Sequence, residues 1–234
     1  MSFVKFPQTP YLLSLEPHKL RNDKLLEADE RSVFFGTAIS VEEKVDGTNI
    51  GFSLSNDGTI LVQNRGAYVD PDSHAQFRKL KSWIKEHESE LFELLFPDRI
   101  LYGEWSYAKH TIPYEWLPDW FLAFDIYETT SGNFVSRDVR HNFLRSLRIH
   151  EVPFIKEKTF DNESQIQDLL ERQSVLYNGP VEGVYLRLED NDKLLRRAKI
   201  VRPEFTQSIE EHWTRQALHI NGMKRAETVS VDIF

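Results

Sequence analysis

Ile50, Phe52 and Leu54 alternate with smaller or polar neighbours, Asn56-Asp57-Gly58 supplies a turn, and Ile60 and Val62 alternate again. That pattern predicts a β-hairpin, with strand character already beginning at Val41. Between Ser73 and Phe96, Phe77, Leu80, Ile84, Leu91 and Leu95 follow helical spacing, and Pro97 closes the segment. Strands are expected at about Ile100–Trp105 and Trp120–Tyr127, the second running into a Ser131-Gly132-Asn133 turn. Ser136 is placed to cap a helix through Leu147, and a further amphipathic helix is expected over Ser164–Gln173. Strands at Val181–Leu188 and Leu194–Val201 flank an Asn191-Asp192 turn as a second hairpin. A last helix is expected over Gln207–Ile220, packed through Ile209, Trp213 and Leu218, with a loose tail after Arg225.

Up to Phe35, Pro7, Pro10 and Pro17 interrupt a mixed charged stretch, which reads as an irregular arm with one short helix. Hairpins interspersed with helices indicate an α+β fold with antiparallel sheets rather than a βαβ array. There is no internal repeat or linker-like tract. A single domain over residues 1–234 is expected: an arm at 1–40, a central body at 41–206, and a C-terminal helix and tail at 207–234.

Composition narrows the chemistry. With 40% apolar residues and 16 Phe, the chain is expected to build an aromatic-rich core. The absence of cysteine removes disulfides, thiolate metal sites and thiol nucleophiles, so any metal is held by oxygen or imidazole. His74, His141 and His150 show no metal-site spacing. No apolar run approaches membrane-spanning length and the N-terminus lacks the layout of a secretory signal, so a soluble cytoplasmic protein without membrane contact is expected. The net charge of −8 argues against coating nucleic acid non-specifically. A local basic stretch nonetheless runs through Lys193, Arg196, Arg197, Lys199 and Arg202.

Lys44-Val45-Asp46-Gly47 stands just before the first hairpin strand, with a glycine where backbone can approach a ligand closely. Alone it is weak, since a Lys-x-Asp-Gly string arises by chance in roughly one chain in twenty of this length. Its weight comes from four further segments downstream in the chain. Tyr102-Gly103-Glu104-Trp105 is succeeded by the stretch Phe121 to Tyr127, then by Val181-Glu182-Gly183-Val184-Tyr185, and finally by Arg197-Ala198-Lys199-Ile200-Val201-Arg202. The series resembles motifs I, III, IIIa, IV and V of the covalent nucleotidyltransferases, which include DNA ligases, RNA ligases and mRNA-capping enzymes. Glu43-Lys44-Val45-Asp46-Gly47-Thr48-Asn49 is most similar to the Glu-Lys-x-x-Gly-Thr-Asn form of the phage RNA ligase 2-like ATP-dependent RNA ligases. The similarity runs from about residue 40 to 206.

The resemblance implies a nucleotidyltransferase domain of two antiparallel sheets flanked by helices, with the nucleotide bound between them. It implies that Lys44 accepts AMP from ATP, with Mg²⁺ or Mn²⁺ as metal, and that AMP then passes to an RNA 5′-phosphate before a 3′-hydroxyl displaces it. A lysine nucleophile must lose its proton, and a cationic or desolvated neighbourhood is the expected source of that activation. On a strand Arg197 and Lys199 share a side, as holding the α-phosphate requires, while Arg202 falls on the other. Motif V of the phage enzymes carries two lysines with one residue between them, so the partner of Lys199 is either Arg197 or a displaced Arg202. Glu104 is implied on the AMP ribose and, with Glu182, near the metal. Phe124 is implied to stack on adenine, although on composition alone it reads as core with Phe121, Leu122 and Ile126. Glu43, Asp46 and Arg65 join the candidate nucleotide-binding set, and Asn49, Lys109, His110 and Arg202 are candidate RNA contacts. Each also reads as a turn or surface residue.

Three other functions share these motifs: a GTP-dependent capping guanylyltransferase, a DNA ligase, and a nucleotide- or RNA-binding module without turnover. Thr48 and Asn49 favour RNA ligation, with acceptance of DNA left open. Only one helix is expected after residue 206, where larger relatives carry an accessory domain, so a protein partner or a preformed nick is expected to supply grip on RNA.

Overall fold

The hairpin expected from alternation forms as β2 (Thr48–Leu54) and β3 (Ile60–Gln63) in a computed structural model that describes residues 3–15, 24–208 and 218–224. Gly58 closes the turn at φ +83°, a conformation that glycine adopts without steric cost. With β4 (Arg99–Trp105), β5 (Phe121–Glu128) and β6 (Asn133–Phe134) these strands make a five-stranded antiparallel sheet in the order β3-β2-β4-β5-β6. Ile50, Phe52, Leu101 and Phe121 pack there against Trp83, Leu91 and Leu95.

Those three residues belong to α2 (Leu80–Glu86) and α3 (Glu88–Leu95), which follow a 3₁₀ turn at Ala75–Phe77. The single helix expected over Ser73–Phe96 is therefore divided. The break falls at His87, whose buried ring stacks on Trp83 at 4.2 Å and places Nδ1 2.9 Å from the Trp83 carbonyl. The His87 N–H still donates to the Trp83 carbonyl at 3.0 Å, and the division comes from the His87 backbone, which leaves helical angles at φ −105°, ψ 16°.

A second antiparallel sheet has the order β7-β1-β8-β9, formed by β1 (Ala38–Glu43), β7 (Phe154–Thr159), β8 (Gly183–Glu189) and β9 (Leu194–Val201). β7 had no counterpart in the hydrophobic pattern. It is an edge strand in which Glu157, Lys158 and Thr159 are exposed, the charged dressing that protects a sheet edge. The core of this sheet joins Val41, Val184, Leu186 and Ile200 to Leu12 and Phe34 of the N-terminal arm. Ile166 of α5 (Glu163–Gln167) and Leu169 and Leu170 of the following 3₁₀ turn (Asp168–Glu171) complete it.

The arm contains α1 (Ala28–Ser32), and Ser136 caps α4 (Arg137–Leu144), which ends three residues before the expected Leu147. α6 (Pro203–Ser208) starts ahead of the expected Gln207, with proline at its first position, where the missing N–H costs nothing. Residues 209–217 of the helix expected there, and the tail after Arg225, lie outside the described residues. Leu218–Ile220 is not helical. Ile220 instead bridges Ala108, and the Lys109 N–H donates to the His219 carbonyl at 2.8 Å. Among the described residues no helix is long and apolar enough to cross a membrane.

A buried ionic lattice ties the two sheets together. Arg187 of β8 donates to Asp125 of β5 at 2.5 Å and to Glu189 at 2.6 Å, and Asp125 also accepts from Arg197 of β9 at 3.1 Å. Arg140 of α4 pairs with Glu42 of β1 and donates to Glu151 at 2.8 Å. Both Arg140 and Arg187 donate to the Phe124 carbonyl. Arg187, Asp125, Arg140 and Glu42 are each at most 1% exposed, so the charges are taken fully out of water and compensate one another.

Candidate functional site

Lys44-Val45-Asp46-Gly47 is the crossover that carries the chain from β1 in one sheet to β2 in the other. Its position is held from several directions. The Lys44 N–H donates to the Gly183 carbonyl at 3.0 Å, and the Asp46 carboxylate accepts from the Thr111 and Ile112 N–H groups at 2.7 and 3.1 Å. The Asp46 N–H donates to the buried Tyr114 hydroxyl at 2.8 Å. Gly47 is required by close approach: a Cβ there would lie 2.7 Å from the Trp105 carbonyl oxygen. At Gly183 a Cβ would lie 2.2 Å from the Ile200 carbonyl oxygen, so the residue beside Glu182 must also be small.

Between the sheets lies a cavity of about 610 Å³. Lys44, Glu43, Asp46, Asn49, Arg65, Glu104, His110, Phe124, Glu182 and Lys199 all line it, although they are spread over more than half the chain. Three candidates stand apart. Arg197 shares a strand face with Lys199 but is spent on Asp125 and on the Phe134 ring, 4.0 Å from its guanidinium carbon, and is absent from the lining. Arg202 donates to the Leu170 carbonyl at 2.8 Å beside Glu171, and Lys109 is exposed; neither lines the cavity. Of the two expected partners for Lys199, neither reaches the cavity with it.

Lys44 Nζ donates to Glu182 Oε1 at 2.7 Å, with the lysine side chain 27% exposed and the glutamate 5%. Burial alone would lower the Lys44 pKa, but the fields of Glu182, Glu104 and Asp46 prevail and hold it above the ordinary lysine range. The field of the side chains alone is therefore acidic rather than cationic at Lys44, which rests as an ammonium paired with Glu182. Burial raises the Glu182 carboxyl against the pull of Lys44, and its Oε2 is a buried acceptor with no hydrogen-bond partner among the described residues. Asn49 Oδ1 is a second such acceptor. An orphaned carboxylate oxygen on a cavity wall suits a cation brought in with a ligand. Among the described residues no group of three or more His, Asp or Glu could hold a metal ion. That is compatible with Mg²⁺, which keeps waters and substrate phosphates around one or two carboxylates. Burial lowers the His110 pKa, opposed by Asp46, and its Nε2 lies 3.4 Å from Thr48 Oγ1.

Burial lifts the Glu104 carboxyl from 4.5 to about 8 against the pull of Lys44, with Asp46 and Glu182 adding to the rise. The folded protein therefore holds this proton more tightly than the unfolded chain. The associated stability is fully present below about pH 4.5 and is lost as pH rises through about 8. In protein stripped of divalent ions, Glu104→Gln is expected to flatten the decline of Tm across that window, as read by thermal unfolding at a series of pH values. Parallel curves for variant and wild type would remove Glu104 as the cause.

Some residues of the site were not singled out from the sequence. Glu42 and Thr9 line the cavity with Tyr185 of the fourth motif, and Tyr114, without a signal of its own, holds the Asp46 N–H. Glu42 sits one residue ahead of the first motif, and Thr9 lies in the irregular arm.

The profile of the RNA ligase family matches residues 37–201. Comparison with curated proteins finds no match. Among solved structures, the chain resembles the Naegleria gruberi RNA ligase with PPi at a TM-score of 0.65 and 16% identity, covering 89% of this chain and 58% of that one. A variant of that ligase with ATP and Mn gives 0.62 and 15%, covering 92% and 60%, and another with AMP and Mn gives 0.62 and 14%, covering 87% and 57%. At these identities the likeness establishes the fold of two antiparallel sheets flanked by helices. This chain spans less than two thirds of the length of those ligases.

Proposed function

The chain belongs to the RNA ligase family, and we propose that it is an ATP-dependent RNA ligase that seals 5′-phosphate and 3′-hydroxyl ends through lysyl-AMP and adenylylated RNA. The observation that carries this reading is the Lys44 ammonium paired with Glu182 inside a cavity that Glu104 and Lys199 also line. That the fold neighbours were solved with ATP and Mn, or AMP and Mn, supports a nucleotide and a divalent ion as ligands of this cavity.

In the first step Lys44 leaves Glu182, loses its proton and attacks the α-phosphorus of ATP. An N–P bond forms as the P–O bond to pyrophosphate breaks. An oxygen of the RNA 5′-phosphate then takes the AMP, breaking the N–P bond and releasing the amine. Finally the 3′-hydroxyl attacks the 5′-phosphorus and expels AMP. Phosphoryl transfer of this kind depends chiefly on positioning and charge stabilisation, which Lys199 and Arg65 supply from the cavity wall. Phe124, Asn49 and His110 line the cavity; in this reading Phe124 offers an aromatic face for the base, and Asn49 and His110 would meet the RNA ends. A Mg²⁺ or Mn²⁺ ion held by Glu182 and Glu104 would neutralise phosphate charge and compete with Lys44 for their carboxylates.

The test is incubation with magnesium and α-labelled ATP or GTP, followed by denaturing separation. Label from ATP that survives denaturation is the expected result. Label from GTP instead would assign guanylyl transfer, and no label from either would reduce the chain to a binding module.

A further inference from the structure

The N-terminal arm lies outside the segment matched to the family, yet it reaches the cavity. It does so by strapping the two sheets together. On the five-stranded sheet the Val4 carbonyl accepts from Gln63 Nε2 and from the Tyr102 hydroxyl, both at 2.7 Å, and the buried Phe6 ring meets Phe124 with centroids 5.2 Å apart. On the four-stranded sheet residues 10–12 run alongside β9 at Lys199. The Lys199 N–H donates to the Pro10 carbonyl, and the Leu12 N–H donates to the Lys199 carbonyl, both at 2.9 Å. Between these anchors Thr9 is 7% exposed and lines the cavity, within hydrogen-bonding reach of Tyr185.

Tyr11 is fixed in turn. Its N–H donates to the Lys24 carbonyl at 2.8 Å and its carbonyl accepts from Leu26 at 2.9 Å, so the arm doubles back on itself to hold this residue. The Tyr11 ring lies with its centroid 4.4 Å from Lys199 Nζ. At that distance the ring quadrupole attracts the ammonium and restricts a side chain with four rotatable bonds. Lys199 is the only member of the basic run from Lys193 to Arg202 that lines the cavity among the described residues, so its placement fixes where β9 adds positive charge to that of Lys44 and Arg65.

We infer that the arm is a working wall of the nucleotide pocket and that Tyr11 is a positioning residue acting through Lys199. The inference rests on the proposed adenylylation of Lys44. It is tested on the full chain by the rate of covalent labelling with α-labelled ATP in single turnover, for wild type, Tyr11→Phe, Tyr11→Leu, Lys199→Ala and the Tyr11→Leu/Lys199→Ala double variant. Tyr11→Phe keeps the ring and is expected to stay within about twofold of wild type, whereas Tyr11→Leu slows labelling about tenfold. In the Lys199→Ala background Tyr11→Leu is expected to add nothing, since the group it positions is gone. A further tenfold loss in that background would make the arm a support of the fold alone and overturn the inference. A wild-type rate in Tyr11→Leu would overturn it equally. Absence of label from the wild-type chain would overturn the adenylylation reading and this inference together, while additive losses in a chain that labels overturn the inference alone.

Discussion

Replacing Lys44 by alanine is expected to abolish the denaturation-resistant AMP label, a loss of roughly 10⁴-fold or more, as removal of a covalent nucleophile entails. Joining of pre-adenylylated RNA is expected to persist, because in that step the 3′-hydroxyl attacks and the amine has no bond to make. The complication is the ion pair: alanine also strands a Glu182 carboxylate that is only 5% exposed. Lys44→Arg separates the two effects. It restores a cation beside Glu182 but brings a guanidinium that stays protonated at any working pH and cannot attack. The arginine variant should therefore keep the wild-type Tm more closely than alanine does and be equally free of label. The measurements are gel autoradiography, a sealing assay on pre-adenylylated ends, and thermal unfolding. Label surviving in either variant would remove Lys44 from the chemistry.

The resting state of Lys44 bears on how such a site is read from sequence. Lys44, Glu104, Glu182 and Lys199 were legible because each sits in a short motif at a strand end or on a strand, and the order of those motifs resembles the nucleotidyltransferase series. The sign of the electrostatics was not. The expected cationic or desolvated neighbourhood left the acidic side chains out of account, whereas the carboxylates of Glu182, Glu104 and Asp46 dominate the field that the folded chain itself sets at Lys44. Arg197 shows the same limit. Period-2 geometry correctly gives it the side of Lys199, but a face says nothing of depth, and Arg197 is captured by Asp125 before it reaches the cavity. β7 escaped notice because an edge strand carries charge where a central strand carries alternation. Tyr11 and Thr9 escaped because the irregular arm acquires its role from bonds to β9, nearly the whole chain away.

Asp125 is the position where a buried charge least visible in the sequence should matter most to stability. It stands in Phe121-Leu122-Ala123-Phe124-Asp125-Ile126-Tyr127, text that reads as plain core, yet it is 0% exposed and accepts from both Arg187 and Arg197. Asp125→Asn keeps the shape and removes the charge, leaving Arg187 with Glu42 and Glu189 and taking from Arg197 the carboxylate it pairs with. Breaking a buried pair from one side costs about 3–5 kcal/mol, because the partner charge stays out of water without compensation. For a chain of this length that corresponds to a fall in Tm of roughly 6–20 °C. Urea denaturation and calorimetry would measure it. The contrast is Asp72→Asn, which breaks the pair with Lys81 in which both side chains are at least 60% exposed, and which is expected to change stability by no more than about 1 kcal/mol. Equal effects at the two positions would contradict the lattice as the tie between the sheets. A large effect at Asp125 alone would make the cavity's two walls dependent on a charge that never touches its contents, since Arg187 also holds the Phe124 carbonyl, 3.2 Å from Nη1, behind the ring that faces the cavity.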